Sequence, residues 1–360
     1  MPIVNFDYNQ LINGNKDHRI GKWAVKLSAV IEETARVIEK DYDLTSLLYN
    51  MVPSESAFES LAIEDSYGYM KATYAGNKAE SDKTSLVGKK FFEHIPYTMN
   101  IQFTRQMLED AHYALKPDHG MKGNQIPESY YRTREAIAQL GYIKGEEEYL
   151  DFAGGRTPLT TYDGKPLFSK EHEYGAKDGH AYGRQSNIFY VIKENASSGD
   201  IAEYVAQASI HIRQMKDSNG RPQRFHADTL LMPGGATTAR YEQRTRIALG
   251  SDFFPGMANN EMNPQSGLWN FKVLPEWELE TDNGFEMIVM SQDAKENMMS
   301  MFYDRTPLDI AVEYDKKHWV YDWNAYSRFS IGHANYKHVV KIKVFDKDPG
   351  DEVTSKMTQL

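Results

Sequence analysis

The sequence predicts an α+β fold. Three observations carry this reading: apolar stripes of helical period occur at separate places, short β-branched and aromatic runs lie between them, and no repeat of fixed period joins them. With 360 residues the chain has length for one large or two intertwined domains.

The first stripe puts Ile20, Trp23, Leu27, Val30, Ile31 and Ile38 on one face, with Lys22, Lys26, Glu32, Glu33 and Arg36 opposite. Joined to the rest by loops, this amphipathic helix reads as an arm. Next, the Tyr- and Thr-rich run Ser66 to Tyr74 and the run Val87 to Met99 flank the polar stretch Ala75 to Lys83. Two extended runs around a Gly-Asn tip predict a long hairpin, and the tip has no apolar anchor of its own.

A second helix is expected from Pro127, where proline suits a first turn and Tyr131, Ile137 and Ala138 offer apolar contact. Gly141 and Gly145 are placed to kink it before Tyr149-Leu150. Gly154-Gly155-Arg156-Thr157-Pro158 then reads as a loop, and Tyr162-Asp163-Gly164-Lys165-Pro166 as a tight turn before Leu167-Phe168. The strongest helix follows: Asp200 with Glu203 resembles a capping box, the stripe runs through Ile201, Tyr204, Val205, Ala208, Ile212 and Met215, and Asn219-Gly220 stops it. An apolar strand from Ala227 to Met232 leads through Pro233-Gly234-Gly235 into a helix from about Ala236 to Leu249. Strands are expected at Leu268 to Leu274, Phe285 to Met290, Ile310 to Tyr314 and Tyr336 to Phe345. The alternation Trp319-Val320-Tyr321-Asp322-Trp323, continued by Tyr326 and Phe329, predicts a further strand packed on one face.

Composition removes whole classes of chemistry. There is no cysteine, which excludes disulfides, thiolate nucleophiles, iron–sulfur clusters and thiolate zinc sites. Lys and Arg number 41 against 51 Asp and Glu, a net charge of −10, which disfavours a general grip on nucleic acid or anionic lipid. Hydrophobic residues at 41% and aromatics at 12% suffice for a folded chain. No signal peptide or membrane-length apolar run is visible, so a cytoplasm-like compartment is expected and the sequon Asn195-Ala196-Ser197 carries no glycan.

The densest set of ligand-type residues is Glu171-His172-Glu173 with Asp178 and His180. Metal binding needs neutral imidazoles and carboxylates converging at about 2 Å from one cation. A zinc-protease helix motif is incomplete here because Ala176 stands at the place of the second histidine, so a solvated loop or inter-subunit polar contact is the expected role. Gly164-Lys165 is followed by Pro166, which breaks a phosphate-loop pattern, and Gly234-Gly235 lacks the spacing of a dinucleotide turn. Pro264 occupies the position where a nucleophile elbow around Ser266 needs glycine. Glu146-Glu147-Glu148 reads as a solvated face. A projecting arm, a projecting hairpin and no catalytic constellation together describe a component of an assembly, whose projections become ordered on neighbouring copies.

The run Thr161-Tyr162-Asp163-Gly164-Lys165-Pro166-Leu167-Phe168-Ser169-Lys170-Glu171-His172 is similar to a loop of tailed-phage major capsid proteins of the Hong Kong 97 type, and within them of the major head subunit of Mu-like phages. In the same order, Phe91-Phe92-Glu93 and Asn100 to Asp110 resemble the strand leaving that family's extended loop and the lead into its spine helix. Asp228 to Pro233 and Leu274-Pro275-Glu276-Trp277 resemble its axial strands, and Ser327-Arg328-Phe329 its returning segment. The resemblance implies an N-terminal arm over 1–58, an extended loop over 59–100, a peripheral domain with spine helix over 101–199, an axial domain over 200–305, and a return to the peripheral domain over 306–360.

It further implies a structural, non-enzymatic subunit of an icosahedral virion shell, assembled in a host bacterial cytoplasm and needing no cofactor. Its partners would be further copies of itself in hexamers and pentamers, a scaffolding protein, a portal, a possible cement protein, and packaged double-stranded DNA held without sequence specificity. Gly76, Asn77, Lys78, Lys83, Trp23, Arg132, Arg134, Glu171 and His172 are the expected subunit-interface residues. Two alternatives stand beside this reading: an encapsulin-like shell, and a metal-dependent hydrolase using Glu171, His172 and His180.

Overall fold

The computed structural model describes residues 35, 37, 38, 42, 44–64, 86–104, 106, 125–177, 180–217, 220–253, 262–279, 283–292, 298–315 and 317–360. The arm stripe up to Ile31, with Trp23, and the hairpin tip, with Gly76, Asn77, Lys78 and Lys83, lie outside the described residues.

Along the chain the elements are α1 (Leu44–Leu48), β1 (Asn50–Pro53), β2 (Phe58–Glu64), β3 (Leu86–Glu93), β4 (Ile95–Thr104), α2 (Gln125–Ile143), β5 (Tyr149–Phe152), β6 (Gly155–Pro158), β7 (His172–Lys177), β8 (His180–Gln185) and β9 (Ile188–Ile192). There follow α3 (Ser198–Gln214), β10 (Thr229–Pro233), α4 (Ala239–Gly250), β11 (Asn270–Leu274), β12 (Phe285–Met290), β13 (Ser300–Asp315), β14 (Val320–His333), β15 (Val339–Phe345), α5 (Asp351–Thr354) and β16 (Thr358–Gln359). Helices and strands intermix as an α+β chain. Among the described residues no helix is long and apolar enough to cross a membrane.

The chain divides into two compact units, each assembled from separated stretches. The first comprises Met1–Glu59, Phe92–Ala138 and Phe302–Ile331, the second Ser60–Phe91, Gln139–Met301 and Gly332–Leu360.

In the first unit a sheet runs in the order β1-β13-β14-β4. β14 pairs antiparallel with β4 from Val320↔Thr104 to Phe329↔Ile95. Its alternation places Tyr321, Trp323 and Phe329 in the core as the sequence predicts, together with Ala325, whereas Trp319 precedes the strand and Tyr326 falls on its outward face, both exposed. Phe329 stacks on Phe302 at 5.1 Å and on Tyr97 at 4.8 Å. The expected strand Ile310 to Tyr314 is the middle of the much longer β13. The polar pair Asp304-Arg305 hides this in the sequence, but both side chains are partnered, Asp304 by Arg134 at 3.3 Å and Arg305 by the carbonyl of Ser54 at 3.2 Å, so the strand continues through them. Tyr131, Ile137 and Ala138 of α2 are buried, as expected from its pattern.

The second unit holds a mixed sheet ordered β11-β10-β12-β15-β9-β16. β10 is parallel to β11 and antiparallel to β12, β12 is antiparallel to β15, and β15 is parallel to β9. β10, buried along its whole length, and β12, at all but one residue, explain why these segments read as continuous apolar runs rather than alternations. The helix α3 packs on α4, β15 and β12 with Ile201, Val205, Ala208 and Ile212 inward. β15 thus lies in this sheet, while Phe302–Ile331 lies in the first unit, so the expected return segment 306–360 divides between the two.

Several local expectations shift. The capping box of α3 is Ser197 with Asp200, not Asp200 with Glu203: Ser197 Oγ accepts from Asp200 N at 3.2 Å and Ser197 N donates to Asp200 Oδ2 at 2.8 Å. The helix ends at Gln214, before Asn219-Gly220. α2 runs unbroken through Gly141, and Gly145 lies in the turn beyond it, where a Cβ would come within 2.8 Å of the Phe168 ring. β2 starts at Phe58 and pairs with β3, so a strand upstream of Ser66 forms the root of the hairpin. The run Val87 to Met99 is two strands, interrupted at His94.

Candidate assembly surfaces

The segment Thr161 to His172 shows how a short loop is made rigid. Gly164 has a φ of +75°, a left-handed position that glycine takes without strain. Asp163 Oδ1 accepts from Thr161 Oγ1 at 2.6 Å and from Lys165 N at 3.1 Å, fixing the predicted turn. The other carboxylate oxygen meets His172 Nδ1 at 2.8 Å, and His172 Nε2 faces the carbonyl of Leu167 at 3.1 Å. Both ring nitrogens thus face oxygen atoms of the same loop. Burial would raise the Asp163 carboxyl, but the hydrogen bond and charge of His172 outweigh it and hold it below the usual carboxylate range. The imidazole lies flat on Tyr336, with centroids 3.6 Å apart.

This geometry bears on two roles considered for His172, a subunit contact and the alternative of a metal ligand. His172 is fully buried with both nitrogens engaged inside the subunit, so it supports the loop and does not reach a neighbouring copy. Nor is it a metal ligand. The β7–β8 register sets His172 opposite Gln185 and His180 opposite Lys177, at opposite ends of a hairpin about 16 Å long. No cation can be shared across that span, and among the described residues no group of three His, Asp or Glu side chains is gathered to hold one. Glu171 is exposed and faces Arg184 at 3.7 Å.

Arg134 is likewise a support. It pairs with Asp304, lies over the Phe302 ring at 4.7 Å and is nearly buried, because the guanidinium sits between an aromatic face and a carboxylate within its own unit. Arg132, two residues earlier, is exposed. The expected interface set therefore separates by accessibility: Arg132 and Glu171 are presented outward, Arg134 and His172 inward.

Three further polar clusters brace the units. In the first, His94 lies at the break between β3 and β4, with Ser54 Oγ at 3.1 Å from Nε2 and Ser330 Oγ at 2.9 Å from Nδ1. Burial, with Arg328 and Arg305 adding to it, lowers the His94 pKa against the pull of Glu59. In the second unit, Ser300 Oγ lies 3.0 Å from His333 Nδ1 and 2.9 Å from His338 Nε2, and Tyr142 Oη donates to it at 2.9 Å. Burial drives His333 well below its ordinary pKa and brings His338 down to about 3, so both rings are neutral. Lys341, on the central strand β15, is 2% exposed and meets Glu146 at 2.7 Å and Glu286 at 2.9 Å, while Lys343 meets the same two carboxylates. Burial alone would lower the Lys341 pKa; Glu286 and Glu146 outweigh it and raise it.

Several large apolar side chains among the described residues are exposed. After α4, Phe253, Met262 and Leu268 are 55%, 85% and 58% exposed. The described ends of this segment are tied down: buried Asn263 donates to the carbonyls of Ala248 at 2.7 Å and Ser251 at 2.9 Å, and Phe253 bridges to Met262. At the hairpin root Phe58 and Phe91 are also exposed. Large apolar groups held outward on rigid backbone mark an association surface. Sequence reading missed the Asn263 loop, although an aromatic shortly after the Gly250 helix end, inside a polar stretch, is a signal for it.

No protein-family model matches the chain, and no curated protein matches it. Solved structures do. The capsid of Myoviridae phage XM1 aligns with a TM-score of 0.51 at 11% identity, over 84% of this chain and 92% of that one. The Hong Kong 97-type capsid fold is the fold of this chain. The capsid of cyanophage P-SCSP1u shares that fold with a TM-score of 0.51 at 9% identity, over 83% of this chain and 87% of its own. The mature capsid of bacteriophage PhiM1 does so with a TM-score of 0.50 at 11% identity, over 83% and 86%. Within this capsid fold, the outward apolar loop and the hairpin root are the candidate contact surfaces, and the buried histidine, lysine and arginine clusters are its internal supports.

Proposed function

We propose that the chain is the major capsid subunit of a phage-type head, assembling with copies of itself into an icosahedral shell around double-stranded DNA. The observation that carries this reading is that the likeness to capsid subunits spans both compact units, leaving no large part of the chain for another activity. The apolar groups held outward by the Asn263 loop and the hairpin root suit burial between copies, since closed symmetric assembly repeats one surface many times. The role is structural rather than catalytic.

Finer parts of the reading follow from the same resemblance. The unit with the β1-β13-β14-β4 sheet serves as the peripheral domain and the unit with the six-stranded sheet as the axial domain. Arg132 and Glu171, with Trp23 and the Gly76 to Lys83 tip, meet neighbouring subunits in hexamers and pentamers. The head is of the Mu-like type, with a scaffolding protein, a portal and a cement protein as further partners, and the shell is assembled in a bacterial cytoplasm. Negative-stain microscopy of the expressed protein, alone and with head proteins of the same phage, tests this. Uniform closed shells are expected; shells filled with a cargo enzyme and lacking a genome would assign the fold to an encapsulin-like compartment.

A further inference from the structure

One surface of the second unit carries charge that no described residue neutralises. Beyond α3 the chain doubles back: Lys216 bridges antiparallel to Pro222, Gln223 N donates to Met215 O at 2.9 Å, and Arg224 N donates to Arg213 O at 3.3 Å. Buried Asp217 fixes the turn by accepting from Arg221 N at 2.8 Å. From the other side Gln185 grips Lys216 twice, donating to its carbonyl at 3.2 Å and accepting from its N–H at 2.9 Å. Arg213, in the last turn of α3, and Lys216 and Arg224, on the paired backbone that follows it, therefore lie close together along the chain, and all three are exposed.

Among the described residues no carboxylate pairs with any of the three. Lys216 Nζ rests near Tyr174, 3.4 Å from its hydroxyl and 5.4 Å from the ring centroid, which leaves its charge intact. Arg184 close by shows the contrast, since Glu171 and Glu173 lie at 3.7 and 3.9 Å from it. The negative end of the α3 dipole accounts for one cation in its last turn, Arg213, but not for the two beyond it. Arg224 also has a φ of +65°, a conformation that costs a non-glycine residue energy and that structures retain where presenting a side chain matters.

We infer that this turn is the subunit's contact with the phosphate backbone of duplex DNA, an inference that rests on the capsid function proposed above. Three cations spread over about 10 Å of paired backbone face a polymer that presents a charge every ~1.7 Å of its axis. Each finds a phosphate whatever the base sequence. With the remainder of the chain acidic, the contact is local and salt-sensitive, which suits a shell that must hold a genome and release it.

The test is fluorescence anisotropy of unassembled protein with a 30-base-pair duplex of arbitrary sequence, titrated at several salt concentrations, with negative-stain microscopy of the same preparations. For the unsubstituted protein the slope of log K against log salt should be about −3. Each single change, Arg213→Gln, Lys216→Gln or Arg224→Gln, should reduce that slope by about 1, and the triple variant should bind at least ~10-fold more weakly at low salt. The single variants keep the test valid if the triple variant loses its circular dichroism spectrum. Shells without salt-dependent duplex binding, or a triple variant that binds as the parent does, would overturn the inference. A triple variant that still binds DNA but no longer assembles would overturn it as well, and would assign the turn to an acidic surface of a second copy. Duplex binding with the expected slope, but no shells under any condition, would uphold the inference and refute the capsid function instead.

Discussion

Individual side chains in this subunit do more bracing than reacting, and their removal should be felt as lost stability. Lys341→Met leaves Glu146 and Glu286 sharing Lys343 alone in a nearly buried site, so a loss of about 3 kcal/mol is expected, read as a fall of several degrees in melting temperature. A variant melting with the parent would show that the ammonium is dispensable. The neutral pair His333 and His338 gives a pH dependence of definite sign. Their folded pKa values lie below the unfolded value of 6.5, so on acidification the unfolded chain takes up protons that the folded one refuses. Stability should therefore decline between pH 6.5 and 5 by on the order of 1 kcal/mol per histidine per pH unit, followed as melting temperature; a flat profile there contradicts the neutral cluster. These roles were poorly legible in the sequence. His172 read as a subunit contact or a possible ligand, not as an internal support, because its partner Asp163 is nine residues away and its stacking partner Tyr336 lies in a distant segment. Lys341 looked like any charged residue of an alternating strand, since the carboxylates that make its burial tolerable come from two other elements.

At the scale of elements the sequence was far more transparent, and where it misled the reason is local chemistry. The stripe of α3, the alternation of β14 and the run Phe285–Met290 were readable because burial imposes periods of 3.6 and 2 residues or a continuous apolar run. β13 was cut short on paper because Asp304 and Arg305 interrupt its apolar pattern, and only their partners on other segments explain a strand that runs through them. The α3 cap was displaced because Ser197 reads as the end of a sequon, while its role is to accept from Asp200 N. Ser197→Ala should therefore cost about 1 kcal/mol, measurable by thermal or urea unfolding, whereas Glu203→Ala should cost far less; the reverse order would restore Asp200 as the cap. For the extended hairpin, replacing Gly76 to Asp82 with a two-residue turn should leave circular dichroism unchanged and abolish particles. Normal particles from that variant would remove the tip from the assembly contacts.

At the scale of the whole molecule, the proposed capsid role predicts how association should respond to concentration and salt. In a closed shell each contact between copies can be weak, because every subunit makes many and closure couples them, so if the proposed role holds, assembly should be steep in protein concentration. Moderate salt should favour it by screening the self-repulsion of a chain with net charge −10. Static light scattering across 50 to 500 mM sodium chloride reads both effects, and a shell that falls apart on added salt would place ion pairs across the interfaces in control. The central claim, that this capsid fold is used as a capsid, is tested most directly by negative-stain microscopy of the protein concentrated alone and co-expressed with phage head proteins. Closed shells of uniform diameter are the predicted result; a chain that stays a monodisperse monomer in every one of those preparations would contradict it.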